Sequence, residues 1–393
     1  MSSIEKSQLT SLRHVALFGK KGSGKTSMFK ALIETDPDNT SPNLPHVGVC
    51  DLGLNGKAIL IDTAGLNSTQ ELEDDRMKTI HNIIRRADVA IYAVDIRNFD
   101  RAAYERDLAW MKRNLVPHLL VFNKCDSSYV GEITQLKLEF PQALFLSVQA
   151  PDSISLLRTR IGEMLQVESK HEPPLLSSAL VHKGDFVILV VPESNQPAIR
   201  NPLVLTNEIL RLGARCVTCR ESDLKQTLEE LPHTDLVITY GRSYDKMRDI
   251  VPDNIPLTSY ALLFGRQKGD LELFAEGART LHSLTEDSRV LIQEGCNLGS
   301  AHRDVGHVKI PRELRKAIGE NLHIDYSYGL DLPEDISQYD LVVLCAGCSI
   351  SRRTVQSHIA ICREAGVPIA NFGTVLSELA GMLDRCMRDI NPQ

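Results

Sequence analysis

The chain has 393 residues, 42% of them hydrophobic and 24% charged, with a net charge of −7. That balance fits a globular protein of two or three domains, and it argues against a nucleic-acid partner. No apolar run approaches the roughly 18 residues of a membrane helix. Residues Met1–Thr10 are polar, without a signal-peptide core, so a cytoplasmic location is expected. The nine cysteines would stay reduced there.

An apolar run at 15–18 leads into Gly19-Lys20-Lys21-Gly22-Ser23-Gly24-Lys25-Thr26, and a helix-forming segment at 27–33 follows. G-x-x-x-x-G-K-[ST] between a strand and a helix is the pattern of a phosphate-binding P-loop. Gly19, Gly22 and Gly24 let the backbone around Ser23 turn its N–H groups toward phosphate. Lys25 adds a mobile positive charge, and Thr26 offers its hydroxyl to Mg2+. The helix N-terminus adds its partial positive charge.

Strand-like runs at 58–61, 89–94, 119–122 and 143–146 alternate with helical patterns at 71–86, 101–113 and 153–165. Residues 1–167 are therefore expected to form an α/β P-loop GTPase domain with a largely parallel sheet. The chemical motifs follow the strands, at the edge where ligands bind in such sheets. In Asp62-Thr63-Ala64-Gly65, Asp62 can reach Mg2+ through water and Gly65 can offer its N–H to a γ-phosphate. In Asn123-Lys124-Cys125-Asp126, the Asp126 carboxylate can accept from N1 and N2 of guanine, a donor pair that adenine lacks. Ser147 and Val148 follow the next strand and close over the base. These motifs, each after a strand and in this order, point to GTP with Mg2+. Thr40, the only threonine between Thr35 and Asp62, is the candidate switch threonine on Mg2+.

Residues 168–268 open with a polar linker ending in Pro173-Pro174. Strands at 185–191, 215–217 and 235–239, with helices at 206–212 and 221–230, make a second, smaller α/β domain expected to connect and dimerise. Cys216-x-x-Cys219 has metal or redox spacing, but its partners are missing, and packing is the expected role. The dense apolar run from Pro256 to Phe264 is expected to form a subunit interface.

In residues 269–393, a third α/β domain, the strand at 290–292 leads to Glu294-Gly295-Cys296. The strand at 341–344 leads to Cys345-Ala346-Gly347-Cys348, and a third, at 367–370, leads to Asn371-Phe372-Gly373. A parallel sheet would bring Cys296, Cys345 and Cys348 to one edge, where a helix starting near Arg352 would favour thiolates. Three thiolates fit a 4Fe-4S cluster with one iron open or otherwise bound. They also fit zinc completed by a fourth group. Cys362 and Cys386 lie in helical runs and are expected to pack.

The nucleotide motifs resemble translation-factor-related GTPases of the TrmE–Era branch. Beyond them stand Pro256-Leu257-Thr258-Ser259, Lys268-Gly269-Asp270-Leu271, Asp304-Val305-Gly306-His307-Val308-Lys309-Ile310-Pro311-Arg312, Cys345-Ala346-Gly347-Cys348 and Gly366-Val367-Pro368-Ile369. With these, nearly the whole chain resembles the HydF family, the maturation GTPases of FeFe-hydrogenase. The resemblance implies a GTPase domain, then a dimerisation domain, then a cluster domain holding 4Fe-4S on Cys296, Cys345 and Cys348. It implies a homodimer that takes a di-iron precursor from two radical-SAM maturases and delivers it to apo-hydrogenase. The chain departs from the family at named positions. Leu66 stands where other GTPases have Gln, implying slow intrinsic hydrolysis and leaving no catalytic side chain assigned. Gly22 stands where potassium-stimulated relatives have Asn. Leu298 and Leu344 replace the histidines of the family's C-x-H and H-C-x-x-C patterns, so His302, His307 and Glu294 become candidate fourth ligands. Two other functions fit: a cluster-binding GTPase recruited away from hydrogenase, and a TrmE–Era-like tRNA-modification or ribosome-assembly GTPase.

Overall fold

A computed structural model describes residues 12–33, 46–63, 73–170, 173–191, 201–240, 244–295, 304–345, 347 and 350–390. Contacts divide the chain into two compact units, one over Ser11–His171 and one over Glu172–Gln393.

In the first unit the described strands are β1 (Arg13–Phe18), β2 (His46–Asp51), β3 (Lys57–Asp62), β4 (Val89–Asp95), β5 (His118–Asn123) and β6 (Leu144–Phe145). They lie in the order β2-β3-β1-β4-β5-β6. All neighbours are parallel except β2, which runs antiparallel along β3. Strands buried on both faces read as near-continuous apolar runs, as β1 does over Val15–Phe18 and β4 over Val89–Val94. Alternation sorts their side chains. Val15, Leu17, Ile91 and Val121 pack with Met28, Phe29, Leu157 and Ile161, from the helices Lys25–Leu32 and Pro151–Lys170. Phe18, Tyr92 and Phe122 join an aromatic cluster with Phe99, Tyr104 and Phe140.

The second unit carries two parallel four-stranded sheets among its described residues. One comprises β7 (Phe186–Val191), β8 (Arg215–Arg220), β9 (Leu236–Thr239) and β10 (Leu257–Ser259), in the order β10-β9-β7-β8. The other comprises β11 (Arg289–Glu294), β12 (His323–Tyr328), β13 (Leu341–Leu344) and β14 (Ile369–Asn371), in the order β12-β11-β13-β14. A single core joins them: Ile188, Val237 and Leu257 share it with Val290, Val343, Val375 and Met387.

The helix Tyr260–Lys268 corrects an expectation. Its residues Tyr260, Ala261, Leu262, Leu263, Phe264 and Gly265 are all buried within one chain, so this run is not a subunit interface. Tyr260, Leu263 and Phe264 pack on β7 and β9, while Leu262 faces the core shared by both sheets. A helix that is apolar all round belongs between layers. Close approach is built in: a Cβ at Gly373 would lie 2.6 Å from that of Ala261.

Cys216 and Cys219 point to opposite sides of β8. Cys216 packs beside Leu205 and Tyr260, Cys219 in the core with Ile188 and Val237. Opposed faces of a strand cannot form a chelate.

Candidate functional site

The loop after β1 turns on glycines with positive φ: +129° at Gly19, +87° at Gly22 and +94° at Gly24. Two of them are also close approaches. A Cβ at Gly19 would meet the Ala93 carbonyl oxygen at 2.2 Å, and one at Gly24 would meet Asn123 Nδ2 at 2.2 Å. Lys25 Nζ donates to the carbonyls of Gly19 and Lys20 at 2.7 and 2.8 Å, which holds the ammonium within the ring of the loop. Ser23 is buried.

Thr26 Oγ1 donates to Asp62 Oδ2 at 2.7 Å. Asp62 is fully buried at the end of β3. The next residue, Thr63, donates to the Leu17 carbonyl at 2.7 Å and fixes the end of β3 against β1. A hydroxyl and a carboxylate so placed offer oxygen ligands of the kind Mg2+ takes. Thr40 and Gly65 lie outside the described residues.

On the base side, Asn123 joins two loops. Its Nδ2 donates to the Ser23 carbonyl at 3.0 Å, and its Oδ1 accepts from Val148 N–H at 3.2 Å. Lys124, at φ +64°, donates to the Gly22 carbonyl at 2.7 Å and to Asp95 Oδ2 at 2.8 Å. Arg97 holds the same carboxylate at 2.8 Å, and Arg97 with Lys124 keeps Asp95 well below the usual carboxylate range. Asp126 is exposed; hydrogen bonds from Ser147 and then Ser127 lower its pKa, so it stands ready as an acceptor. The structure thus gathers Gly19, Gly22, Ser23, Gly24, Lys25, Thr26, Asp62, Asn123, Lys124, Ser147 and Val148 in one hydrogen-bonded assembly, with Asp126 at its rim.

Sequence reasoning missed Asp95 and Asp100. Asp100 pairs with Lys20 and, with Asp95, lines a cavity of about 280 Å³ beside the loop. Asp95 ends β4, so the strand-end criterion that found Asp62 would have found it.

In the second unit, Cys345 directly follows β13, and its N–H donates to the Gln293 carbonyl in β11 at 2.9 Å. The ends of β11 and β13 are therefore neighbours. Gly295 and Gly347, next in the chain to Cys296 and Cys348, both face Ile350: Cβ atoms there would lie 2.9 and 3.8 Å from its side chain. The helix Arg352–Ala365 starts at a Ser351 cap that accepts from Thr354 N–H at 3.1 Å. Cys296 and Cys348 lie outside the described residues, as do Leu66, Leu298 and His302. Among the described residues no three His, Cys, Asp or Glu side chains gather at metal distance.

Leu344 is buried in the core with Leu291 and Ile350. His307 sits 3.4 Å from Glu294 Oε2 and 3.2 Å from the Tyr328 hydroxyl, stacked on Tyr326 at 4.5 Å. Two candidate fourth ligands thus lie together. No described helix is long and apolar enough to cross a membrane.

Comparison with known proteins follows this division. Residues 14–124 match the family described as 50S ribosome-binding GTPase. Residues 176–269 match the hydrogen maturase F dimerization domain, and residues 272–389 its tetramerization domain. The second description adds a tetramer to the dimer expected from sequence. GTPase Der of Stenotrophomonas maltophilia (strain R551-3) is 31% identical over 121 residues, covering 29% of this chain and 26% of that protein. GTPase Der of Xanthomonas oryzae pv. oryzae (strain MAFF 311018) is 27% identical over 167 residues, covering 40% and 36%. The chain thus spans between 26% and 36% of the length of these curated relatives. A solved structure of translation elongation factor SelB from Methanococcus maripaludis, with the GTP analogue GppNHp, aligns at a TM-score of 0.32 and 16% identity, covering 40% of this chain and 34% of that one. A P-loop GTPase domain followed by both HydF oligomerisation domains assigns the chain: it belongs to the HydF family.

Proposed function

We propose that this chain is a cytoplasmic GTP-timed scaffold that carries the di-iron precursor of the FeFe-hydrogenase active site on an iron–sulfur cluster and delivers it to apo-hydrogenase. The observation that supports it most is the bond from Cys345 N–H to the Gln293 carbonyl. It pairs the strand end that carries Cys345 and leads to Cys348 with the strand end that leads to Cys296. The donor chemistry fits: three cysteines supply soft thiolates, which suit iron in a cluster. Cys296, Cys345 and Cys348 would hold it, and the cluster would supply an iron site to which the precursor attaches.

The chain's own residues would do the rest. Lys25 and the loop amides bind the phosphates, Thr26, Asp62 and Thr40 the Mg2+ shell, and Gly65 the γ-phosphate. Asn123, Lys124, Asp126, Ser147 and Val148 set the base. Hydrolysis is slow, since Leu66 offers no group to orient water. Exchange of GTP for GDP then biases an element between two arrangements and so times loading or release. A dimer or larger assembly and transient contacts with two radical-SAM maturases and hydrogenase complete the scheme.

Anaerobic reconstitution tests the cluster. A reduced 4Fe-4S EPR signal, lost in Cys345→Ser, is expected; a colourless zinc-loaded chain with no signal sinks the reading. The delivery role is tested by whether the loaded chain activates apo-hydrogenase. A second reading, recruitment to another process, is favoured by buried Leu344, which puts core packing where the family has a histidine. An intact cluster without activation would select it. RNA co-purifying with the chain would instead favour a ribosome- or tRNA-directed GTPase.

A further inference from the structure

The loop between Cys345 and the helix Arg352–Ala365 is held by a side chain outside its own sheet. Lys268, the last residue of the helix Tyr260–Lys268, donates from Nζ to the Gly347 carbonyl and to the Ile350 carbonyl, both at 2.7 Å. The Gly347 carbonyl belongs to the peptide unit that leads into Cys348. The ammonium also lies 5.2 Å from the centre of the Phe264 ring, and it is partly withdrawn from solvent. Charge-assisted hydrogen bonds in such surroundings are stronger than neutral ones.

Lys268 is itself held by its neighbours. Gln356 Nε2 donates to the carbonyls of Lys268 and Gly269 at 3.0 and 3.2 Å, and Arg352 Nε donates to that of Gln267 at 3.2 Å. Arg266 reaches the other way, to the Leu175 and Pro174 carbonyls at 3.0 and 3.2 Å and to Ser177 Oγ at 3.1 Å. One helical turn thus grips both the start of this unit and the cysteine loop.

We infer that Lys268 is a positioning residue of the cysteine loop: it fixes the Gly347 and Ile350 carbonyls, on either side of Cys348 in the chain, for cluster binding, and brings a positive charge to the segment that carries the ligands. The inference rests on the cluster reading for its ligand, but not for its loop. Two consequences follow from the geometry. Without the ammonium, the Gly347 and Ile350 carbonyls lose their shared donor and the loop opens locally. A cation beside an anionic cluster favours its reduced form, so losing the charge moves the midpoint potential in the negative direction.

The test uses the full chain with Lys268→Met, Lys268→Gln and Lys268→Arg. In the metal-free chain, amide exchange across 347–351 should rise roughly tenfold or more in Lys268→Met, while β7 stays protected. Lys268→Arg, which keeps charge and donors, should restore protection. In the reconstituted chain, iron loss to a ferrous chelator should speed up several-fold for Lys268→Met. The potential should fall for both Met and Gln and recover for Arg. Unchanged loop exchange together with unchanged iron loss and potential would overturn the inference. If the parent chain takes up no iron, the cluster reading fails by itself; faster loop exchange in Lys268→Met would still uphold the positioning role, and unchanged exchange would end it.

Discussion

Thr26 Oγ1 and Asp62 Oδ2 stand 2.7 Å apart, joining the first turn of the helix Lys25–Leu32 to the end of β3. Both belong to the proposed Mg2+ shell, so the pair couples metal binding to the seam between β1 and β3. Thr26→Ala removes a proposed ligand and a hydrogen-bond partner of a buried carboxylate. Its affinity for GTP should lose most of its Mg2+ dependence, with a drop of about tenfold or more in the presence of the metal. Nucleotide titration with and without Mg2+ measures this; an unchanged Mg2+ effect would remove Thr26 from the shell.

Asp126 is the group proposed to read guanine. Hydrogen bonds to a charged acceptor contribute about 1.5–3 kcal/mol each. Asp126→Asn should therefore weaken GTP binding by roughly 30-fold or more and turn preference toward xanthosine triphosphate. Competition between the two nucleotides is the measurement, and unaltered preference for GTP would refute the assignment.

Gly24 leaves room for Asn123 and sits at φ +94°. Gly24→Ala adds a Cβ that must displace the Asn123 amide, on top of roughly 1–2 kcal/mol of backbone strain. The Asn123 bonds to Ser23 and Val148 should break together, so GTP binding should fall and the first unit should melt earlier. Calorimetry with and without GTP separates the two effects. Gly22→Ala meets nothing within 4 Å and tests the strain alone.

Trp110, the sole tryptophan, stacks on His81 with ring centres 4.1 Å apart. His81 lies on the helix Glu73–Arg86, the next described element after the Asp62 motif. Exchange of GDP for a GTP analogue that shifts this helix should change Trp110 emission. His81→Leu should abolish most of the change. A signal that persists in that variant would mean the indole senses something else.

Acid should weaken the first unit. Burial lowers the pKa of His14, His81 and His118 below the ordinary 6.5. The unfolded chain takes up protons near 6.5 while the folded chain keeps these rings neutral. Stability that is present above about 6.5 is therefore lost as the pH falls through that value. Each histidine adds a slope of at most about 1.4 kcal/mol per pH unit. Melting between pH 7.5 and 5.5 should show the first unit falling, and His14→Gln should flatten the slope.

The nucleotide motifs were legible because spacing dictates their geometry. A P-loop needs a strand before it and a helix after it, and both are visible as apolar runs. The short buried strand β10 was hidden inside the apolar run from Pro256, and two further strands, β2 and β12, were not visible at all. Each is an edge strand, half-exposed, with mixed residues such as His323-Ile324-Asp325-Tyr326 rather than a continuous apolar run. The helix Val130–Glu139 buries no residue, so no periodicity announced it. The apolar run at Tyr260–Phe264 was visible but misassigned. Its partners are two sheets, one of them contributed by residues after 288, and one-dimensional pattern carries no record of such distant layers.

The burial of the remaining thiols turns the chain into its own chemical counter. Cys50, Cys362 and Cys386 are buried, and burial pushes the Cys362 thiol up to about 12. Cys125, Cys216 and Cys219 are likewise raised by burial. All six should react sluggishly with iodoacetamide at neutral pH, since only the thiolate attacks. Brief alkylation of the native, metal-free chain therefore has a quiet background. Peptide mapping of the fast-labelled sites would read the accessibility of Cys296, Cys345 and Cys348, and protection of those three after reconstitution would register metal uptake without any spectrum.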